Sequence, residues 1–156
     1  MSEETRDTAR LPLPPPFLMF IFLIVALLFG WFLPLPIPRP WWVRLAGGLI
    51  TLCGLWLARN AVRAQSQAHT SVDPYTPTTA IVTDGPYRFS RNPIYLGFVL
   101  LVTGIPLIFG FYWGAILSLV AIDAYNRLII SREEQYLEKK FGQSYLDYKS
   151  RVRRWL

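Results

Sequence analysis

The sequence predicts an all-α integral membrane protein with about four transmembrane helices, a cytoplasmic loop between the second and third, and a C-terminal helix extending out of the membrane. Three observations carry that prediction. Hydrophobic residues make up 53% of the 156 residues and aromatic residues 15%, more than soluble chains ordinarily use. Uncharged runs long enough to cross a bilayer recur along the chain. The formal net charge of +6 gathers at the ends of those runs, as membrane orientation requires, and forms no patch that would mark nucleic-acid binding. The whole chain, 1–156, reads as a single membrane domain.

The leader 1–16, "MSEETRDTARLPLPPP", is polar, mixed in charge and closed by prolines. It reads as a cytoplasmic tail, unlike the basic start of a cleaved signal peptide. Residues 17–33 form the first span, which the prolines at 34, 36, 38 and 40 end because each lacks a backbone donor. The second span is 41–58, with Trp41 and Trp42 at headgroup depth, Arg44 able to snorkel outward, and Gly47, Gly48 and Gly54 able to admit a close neighbouring helix. Residues 59–92 follow as a polar loop in which "SVDPYTPTT" resists regular helix and "AIVT", 80–83, reads as a short strand-like piece. From Ile94 to Ile122 no charge occurs, which is too long for one crossing at roughly 20 residues each. A hairpin around "GFYWG", 110–114, divides it into spans at 93–109 and 111–130. The last helix leaves the membrane through "DAYNRLIISREEQYLEKK" into a C-terminal region, 131–156, with a helix end near Phe141 and Gly142, where glycine can cap.

Positive charge supplies orientation. Arg59, Arg63, Arg88 and Arg91 lie in the loop, further arginines and lysines follow from Arg127, and the 110 turn carries none. The loop and both termini are therefore expected on the cytoplasmic side, in a plasma (inner) membrane, with Arg39 and Arg44 in the first external turn outnumbered. A single cysteine, Cys53, excludes an internal disulfide and a thiolate metal cluster.

Chemistry-bearing residues fall in two places. On an ideal helix at roughly 100° per residue, Arg127 lies about 40° and Glu134 about 20° from Asp123, with Asn126 and Glu133 on the flank. Asp123, at the inner end of an apolar span, calls for a partner, and Arg127 stands one turn away. The second place is "DGPYRFSRNPIYLG", 84–97. Its prolines make turns and open a helix at Pro93, whose first turn leaves backbone donors free for an anion. Arg88 and Arg91 add full charges, and Tyr87 and Tyr95 add aromatic faces. From the residues alone, this stretch is equally an interfacial anchor for lipid headgroups or a ligand site. His69 stands alone in the loop, a candidate ligand contact without a catalytic partner. No G-x-G-x-x-G, G-x-x-x-x-G-K, H-E-x-x-H or paired C-x-x-C occurs, so a Rossmann domain, a P-loop and a zinc protease lack support, and no metal site is expected.

Together, "DGPYRFSRNPIYLG" and "REEQYLEKKFGQSYLDYKSRVRRW" resemble the isoprenylcysteine carboxyl methyltransferase family and its phospholipid N-methyltransferase relatives. The shared pattern is a Gly-Pro-Tyr turn, an Arg-Asn-Pro-x-Tyr-x-Gly element, a Glu pair after a hydrophobic hairpin, then Phe-Gly and spaced tyrosines before a basic end, over about residues 80–155. The resemblance implies an enzyme that binds S-adenosyl-L-methionine in a cytoplasm-facing pocket and methylates a hydrophobic or lipid-like acceptor from the bilayer. Carried over, Tyr87, Arg91, Asn92, Pro93, Tyr95 and Gly97 line the cofactor pocket, with Glu133 and Glu134 as polar anchors. Arg127 and Glu134 are then the catalytic candidates, Arg127 orienting the acceptor or the cofactor carboxylate. Asn92 stands where the eukaryotic carboxyl methyltransferases have histidine, which removes a titrating imidazole. A prenylcysteine, a phospholipid amine and another small hydrophobic molecule are equal candidates for the acceptor. The C-terminal half also looks similar to NADPH-dependent sterol reductases, and a non-enzymatic lipid-binding adaptor is the third reading.

Overall fold

The computed structural model describes residues 7–156, so the first residues of the leader lie outside the described part. Four apolar helices form a bundle, and among the described residues no strand occurs. Helix α1, Pro15–Phe32, opens on a proline at its first turn, where no backbone N–H is needed. Helix α2 is Trp41–Gln67, 27 residues and about 40 Å at 1.5 Å per residue. It outruns a hydrocarbon core of about 30 Å, so residues 59–67, expected in the loop, continue the helix. Residues 80–83, expected to be strand-like, are irregular and lead into a 3₁₀ turn, Gly85–Arg88.

The apolar hairpin divides at residues 109–112. Helix α3, Pro93–Ile108, and helix α4, Trp113–Tyr125, flank a turn that needs Gly110 at φ 74. Three helices, Pro15–Phe32, Trp41–Gln67 and the continuous Trp113–Phe141, are long and apolar enough to cross a membrane, and Pro93–Ile108 is a shorter fourth. The chain is therefore an all-helical, multi-pass membrane protein.

Glycines let α2 and α3 approach backbone to backbone. A Cβ at Gly54 would meet the Gly97 carbonyl at 2.9 Å, and one at Gly104 would meet Thr51 Oγ1 at 2.5 Å. This antiparallel seam uses Gly47 and Gly54 as the sequence suggests. Gly48 has nothing within 4 Å and takes no part.

Beyond α4 the helix widens into a π turn, Asn126–Ile130, before α5, Ser131–Phe141, and Gly142 at φ 54 separates α5 from α6, Gln143–Arg151. The core gathers here. Tyr125, Ile129 and Ile130 are fully buried with Ala121, Val99 and Leu18, and Ala9 and Leu11 of the leader pack into the same cluster. At the opposite end Trp113 Nε1 donates to the Leu33 carbonyl at 2.8 Å, Tyr112 donates to Pro38, and Arg39 lies over the Phe111 ring. That end is tied shut by the two short turns.

Candidate active site

The leader, the loop and the C-terminal helices meet at the same end of the bundle, around a cavity of about 620 Å³, within the range of small-molecule sites. Most of its lining is apolar, supplied by Pro14, Val72, Ile81, Ile94, Phe98 and Leu137 among others, and its polar groups converge from the starts of α3 and α5.

Helix α3 begins with Asn92 as N-cap and Pro93 as first residue. The Asn92 side chain makes no capping bond to the helix; its Nδ2 donates to the Arg154 carbonyl at 3.0 Å. Ser90 Oγ accepts the Asn92 N–H at 3.1 Å and donates to the same carbonyl at 3.3 Å. The preceding residue, Arg91, is thereby held with its side chain 8% exposed. Its Nη1 is 3.1 Å from Glu134 Oε1, an ion-pair distance, yet its N–H bonds are not aimed at that oxygen. Arg91 Nη1 and Nε, and likewise Gln65 Oε1, are buried without a hydrogen-bond partner. Both residues line the cavity. Buried polar groups are nearly always satisfied, so these two donors and one acceptor are unmatched hydrogen-bonding capacity in the cavity wall.

Glu134 is buried between two arginines. Arg154 grips it with Nε at 3.1 Å from Oε1 and Nη2 at 2.6 Å from Oε2, the bidentate form of a charge-assisted pair. Glu133, half-buried on the same turn, has no cation; the Tyr95 hydroxyl donates to it, and Tyr95 stacks on Tyr125 at 5.3 Å between ring centroids. Burial pushes the Glu133 carboxyl up, the neighbouring Glu134 adds to this, and the Tyr95 hydrogen bond opposes it, leaving it at about 7. Tyr87, whose carbonyl accepts the Tyr148 hydroxyl at 2.8 Å, is raised mainly by burial, and so is Tyr145, up to about 12. The ring hydroxyls therefore stay neutral donors.

Of the residues expected at the site, Tyr87, Arg91, Asn92, Tyr95, Glu133 and Glu134 line one cavity. Pro93 is fully buried under the helix start, and Gly97 faces Gly54 and Ala58 in the seam. His69 is exposed at the end of α2 with φ 52, and its carbonyl accepts the Thr79 hydroxyl. The Asp123–Arg127–Glu134 stripe does not form. The π turn changes the register, so Asp123 and Arg127 face outward and pair with each other at 2.8 Å while Glu134 turns inward. Arg127 is outside the cavity lining.

Several groups in the cavity wall or directly behind it carried no sequence signal. Arg154 reads as one more charge in a basic tail, and Gln65 as part of a polar exit. Tyr136 gathers three segments: its hydroxyl donates to the Asp7 carbonyl at 2.9 Å, accepts the Thr78 N–H at 3.2 Å, and meets Lys140. Only a spacing argument across α5, pairing Tyr136 with Lys140 one turn on, hints at it.

Residues 42–144 match the phospholipid methyltransferase family. The chain is 31% identical over 104 residues to a protein-S-isoprenylcysteine O-methyltransferase of Schizosaccharomyces pombe, a match covering 65% of this chain and 44% of that protein. It is 27% identical over 114 residues to protein-S-isoprenylcysteine O-methyltransferase B of Arabidopsis thaliana, covering 72% of this chain and 58% of the relative. An uncharacterized protein of Haemophilus influenzae is 40% identical over 63 residues, the whole of its length and 40% of this chain. The chain spans about half the length of the methyltransferases it matches. No protein of solved structure matches it.

Proposed function

The chain belongs to the phospholipid methyltransferase family, and from that premise we propose that it transfers a methyl group from S-adenosyl-L-methionine to a hydrophobic, lipid-like acceptor at the membrane–cytoplasm interface. One observation carries the reading: the buried, unpartnered Nε and Nη1 donors of Arg91 beside a 620 Å³ cavity. Their chemistry fits the group. Arg91 holds the amino-acid carboxylate by charge-assisted hydrogen bonds, Gln65 Oε1 accepts from a donor on the ligand, and Glu133 faces its cationic part.

The cofactor supplies an electrophilic methyl group on a sulfonium. What the chain contributes is position and exclusion of water. An in-line displacement needs the acceptor held in contact and aligned, which effective-molarity arguments value above any single proton transfer. Tyr95, stacked on Tyr125 and bonded to Glu133, gives a rigid aromatic wall on which a cation is tolerated. The apolar leader and loop residues keep water from that wall and offer the acceptor's tail a surface like the bilayer's. Glu133, poised near 7, accepts a proton from an acceptor that must lose one. The loop and both termini lie on the cytoplasmic side in this reading, as the positive charges favour.

Binding decides the matter. Titration of the purified protein in detergent with S-adenosylhomocysteine, S-adenosylmethionine and NADPH is expected to give saturable binding of the two adenosyl compounds alone. No response to either overturns the proposal, and an NADPH response supports a reductase. Labelled cofactor incubated with lipid extract then identifies the acceptor.

A further inference from the structure

After α6 the chain becomes extended at Val152 and runs back across the start of α3 as a strap. Its backbone is fixed there: the Arg153 carbonyl accepts the Arg91 N–H at 3.0 Å, and the Arg154 carbonyl accepts from Asn92 Nδ2 and Ser90 Oγ. Trp155 Nε1 donates to Asn126 Oδ1 at 3.1 Å, which joins the strap to the π turn. None of these bonds uses the Arg154 guanidinium. That group instead takes both oxygens of Glu134 and reaches Asn126 Oδ1 at 3.4 Å.

The cluster is uneven in charge. Two guanidiniums, Arg91 and Arg154, face one carboxylate, Glu134. Because Arg154 takes Glu134 in the two-pronged way, Arg91 is left at ion-pair distance without a directed hydrogen bond, its Nε and Nη1 buried in the cavity wall with no hydrogen-bond partner. Resting on the reading that Arg91 takes the cofactor carboxylate, we propose that Arg154 is the positioning residue that keeps the Arg91 N–H groups out of a directed hydrogen bond with Glu134, by engaging both of its carboxylate oxygens. Without the Arg154 fork, the cation left at ion-pair distance from Glu134 is Arg91. Glu134 then turns onto Arg91 and occupies the donors meant for the ligand, an internal carboxylate competing with an external one.

Two ligands that differ only in the carboxylate test this: S-adenosylhomocysteine and its decarboxylated analogue, S-adenosyl-3-thiopropylamine, titrated calorimetrically against the full chain in detergent. The unaltered protein is expected to prefer the carboxylate-bearing ligand. In Arg154→Ala the affinity for S-adenosylhomocysteine falls by about tenfold or more, the value of a charge-assisted bond, while that for the analogue holds, so the preference collapses. Arg154→Ala combined with Glu134→Gln restores part of the preference, since an amide competes poorly for Arg91, and this recovery separates positioning from misfolding. Equal loss for both ligands in Arg154→Ala, or no loss for either, overturns the positioning role and leaves the methyltransferase reading intact. Equal affinity of the unaltered protein for the two ligands, or binding of neither, removes the premise itself.

Discussion

Arg91 and Glu133 divide the charge recognition at the cavity, and each makes its own prediction. Arg91→Ala deletes two buried donors, Nε and Nη1, that make no directed hydrogen bond, although Nη1 lies at ion-pair distance from Glu134. Hydrogen bonds to charged groups contribute about 1.5–3 kcal/mol, so S-adenosylhomocysteine binding should weaken by roughly ten- to a hundredfold. Little global destabilisation should accompany it, because Glu134 keeps the Arg154 fork. Calorimetry alongside a thermal melt separates the two effects. Glu133 supplies a pH dependence. Tyr95 from α3, Tyr87 from the 3₁₀ turn and Glu134 on its own helix face it, and no cation among them favours ionisation. Its folded value of about 7 lies above the ordinary 4.5. The contribution of Glu133 to stability is therefore fully present below about pH 4.5 and is lost as pH rises to about 7, because the fold must then hold a charge in a half-buried site without a cation. A cationic ligand reverses the preference. Affinity for S-adenosylmethionine is expected to rise with pH through about 7, by up to about tenfold per unit, and to level off above. Glu133→Gln should flatten the profile, and a profile that stays steep in the variant assigns the titration elsewhere.

At the scale of elements, α2 and α3 set the frame, and their seam is tested by a matched pair of substitutions. A Cβ at Gly104 would lie 2.5 Å from Thr51 Oγ1 and 2.8 Å from the Gly47 carbonyl, whereas one at Gly48 would meet nothing within 4 Å. Gly104→Ala should cost about 1–3 kcal/mol as overpacking and lower the melting temperature in detergent. Gly48→Ala should leave the temperature unchanged or slightly higher, alanine being the better helix former. The seam also shows where sequence reading reaches its limit. Glycines in an apolar run announce a close helix neighbour but not which face meets it, so Gly47 and Gly54 were legible and Gly48 was not separable from them. The hairpin at 110–114 and the end at Gly142 were legible because glycine and hydrophobic length fix them locally. The π turn at 126–130 was not, since nothing in "NRLII" departs from ordinary helical sequence. That one wide turn decided which carboxylates face inward, carrying Glu134 to the cavity and leaving Asp123 and Arg127 outside it. Half of the site was readable from the motif around Arg91; Arg154 was not, because only tertiary folding distinguishes it from its basic neighbours.

For the molecule as a whole, the cavity is assembled from segments far apart in the chain, and the leader is the least securely held of them. Residues Asp7 to Pro14 roof the cavity through Ala9 and Pro14. Their polar ties, Lys140 to Asp7, the Tyr136 hydroxyl to the Asp7 carbonyl and Arg132 Nη1 to the Arg10 carbonyl, are exposed, and such contacts add little. The apolar anchor is stronger, because Leu11 is buried against the Tyr125 and Ile129 cluster and burial of such a side chain contributes about 1.5–3 kcal/mol. Leu11→Asp is therefore expected to undock the leader, and Lys140→Ala to leave it in place. If docking completes the site, apparent affinity is the intrinsic affinity scaled by the docked fraction. The loss in Leu11→Asp is then bounded by the anchor, at roughly ten- to a hundredfold. Linkage requires the reverse effect too. Saturating S-adenosylhomocysteine should slow proteolytic cleavage within residues 7–14 of the unaltered protein, and cleavage in Leu11→Asp should be fast without ligand and slower with it. Cleavage indifferent to ligand in the unaltered protein would show that the leader covers the bundle without belonging to the site, and the cavity would then owe its closure to the loop around Thr78 and Tyr136 alone.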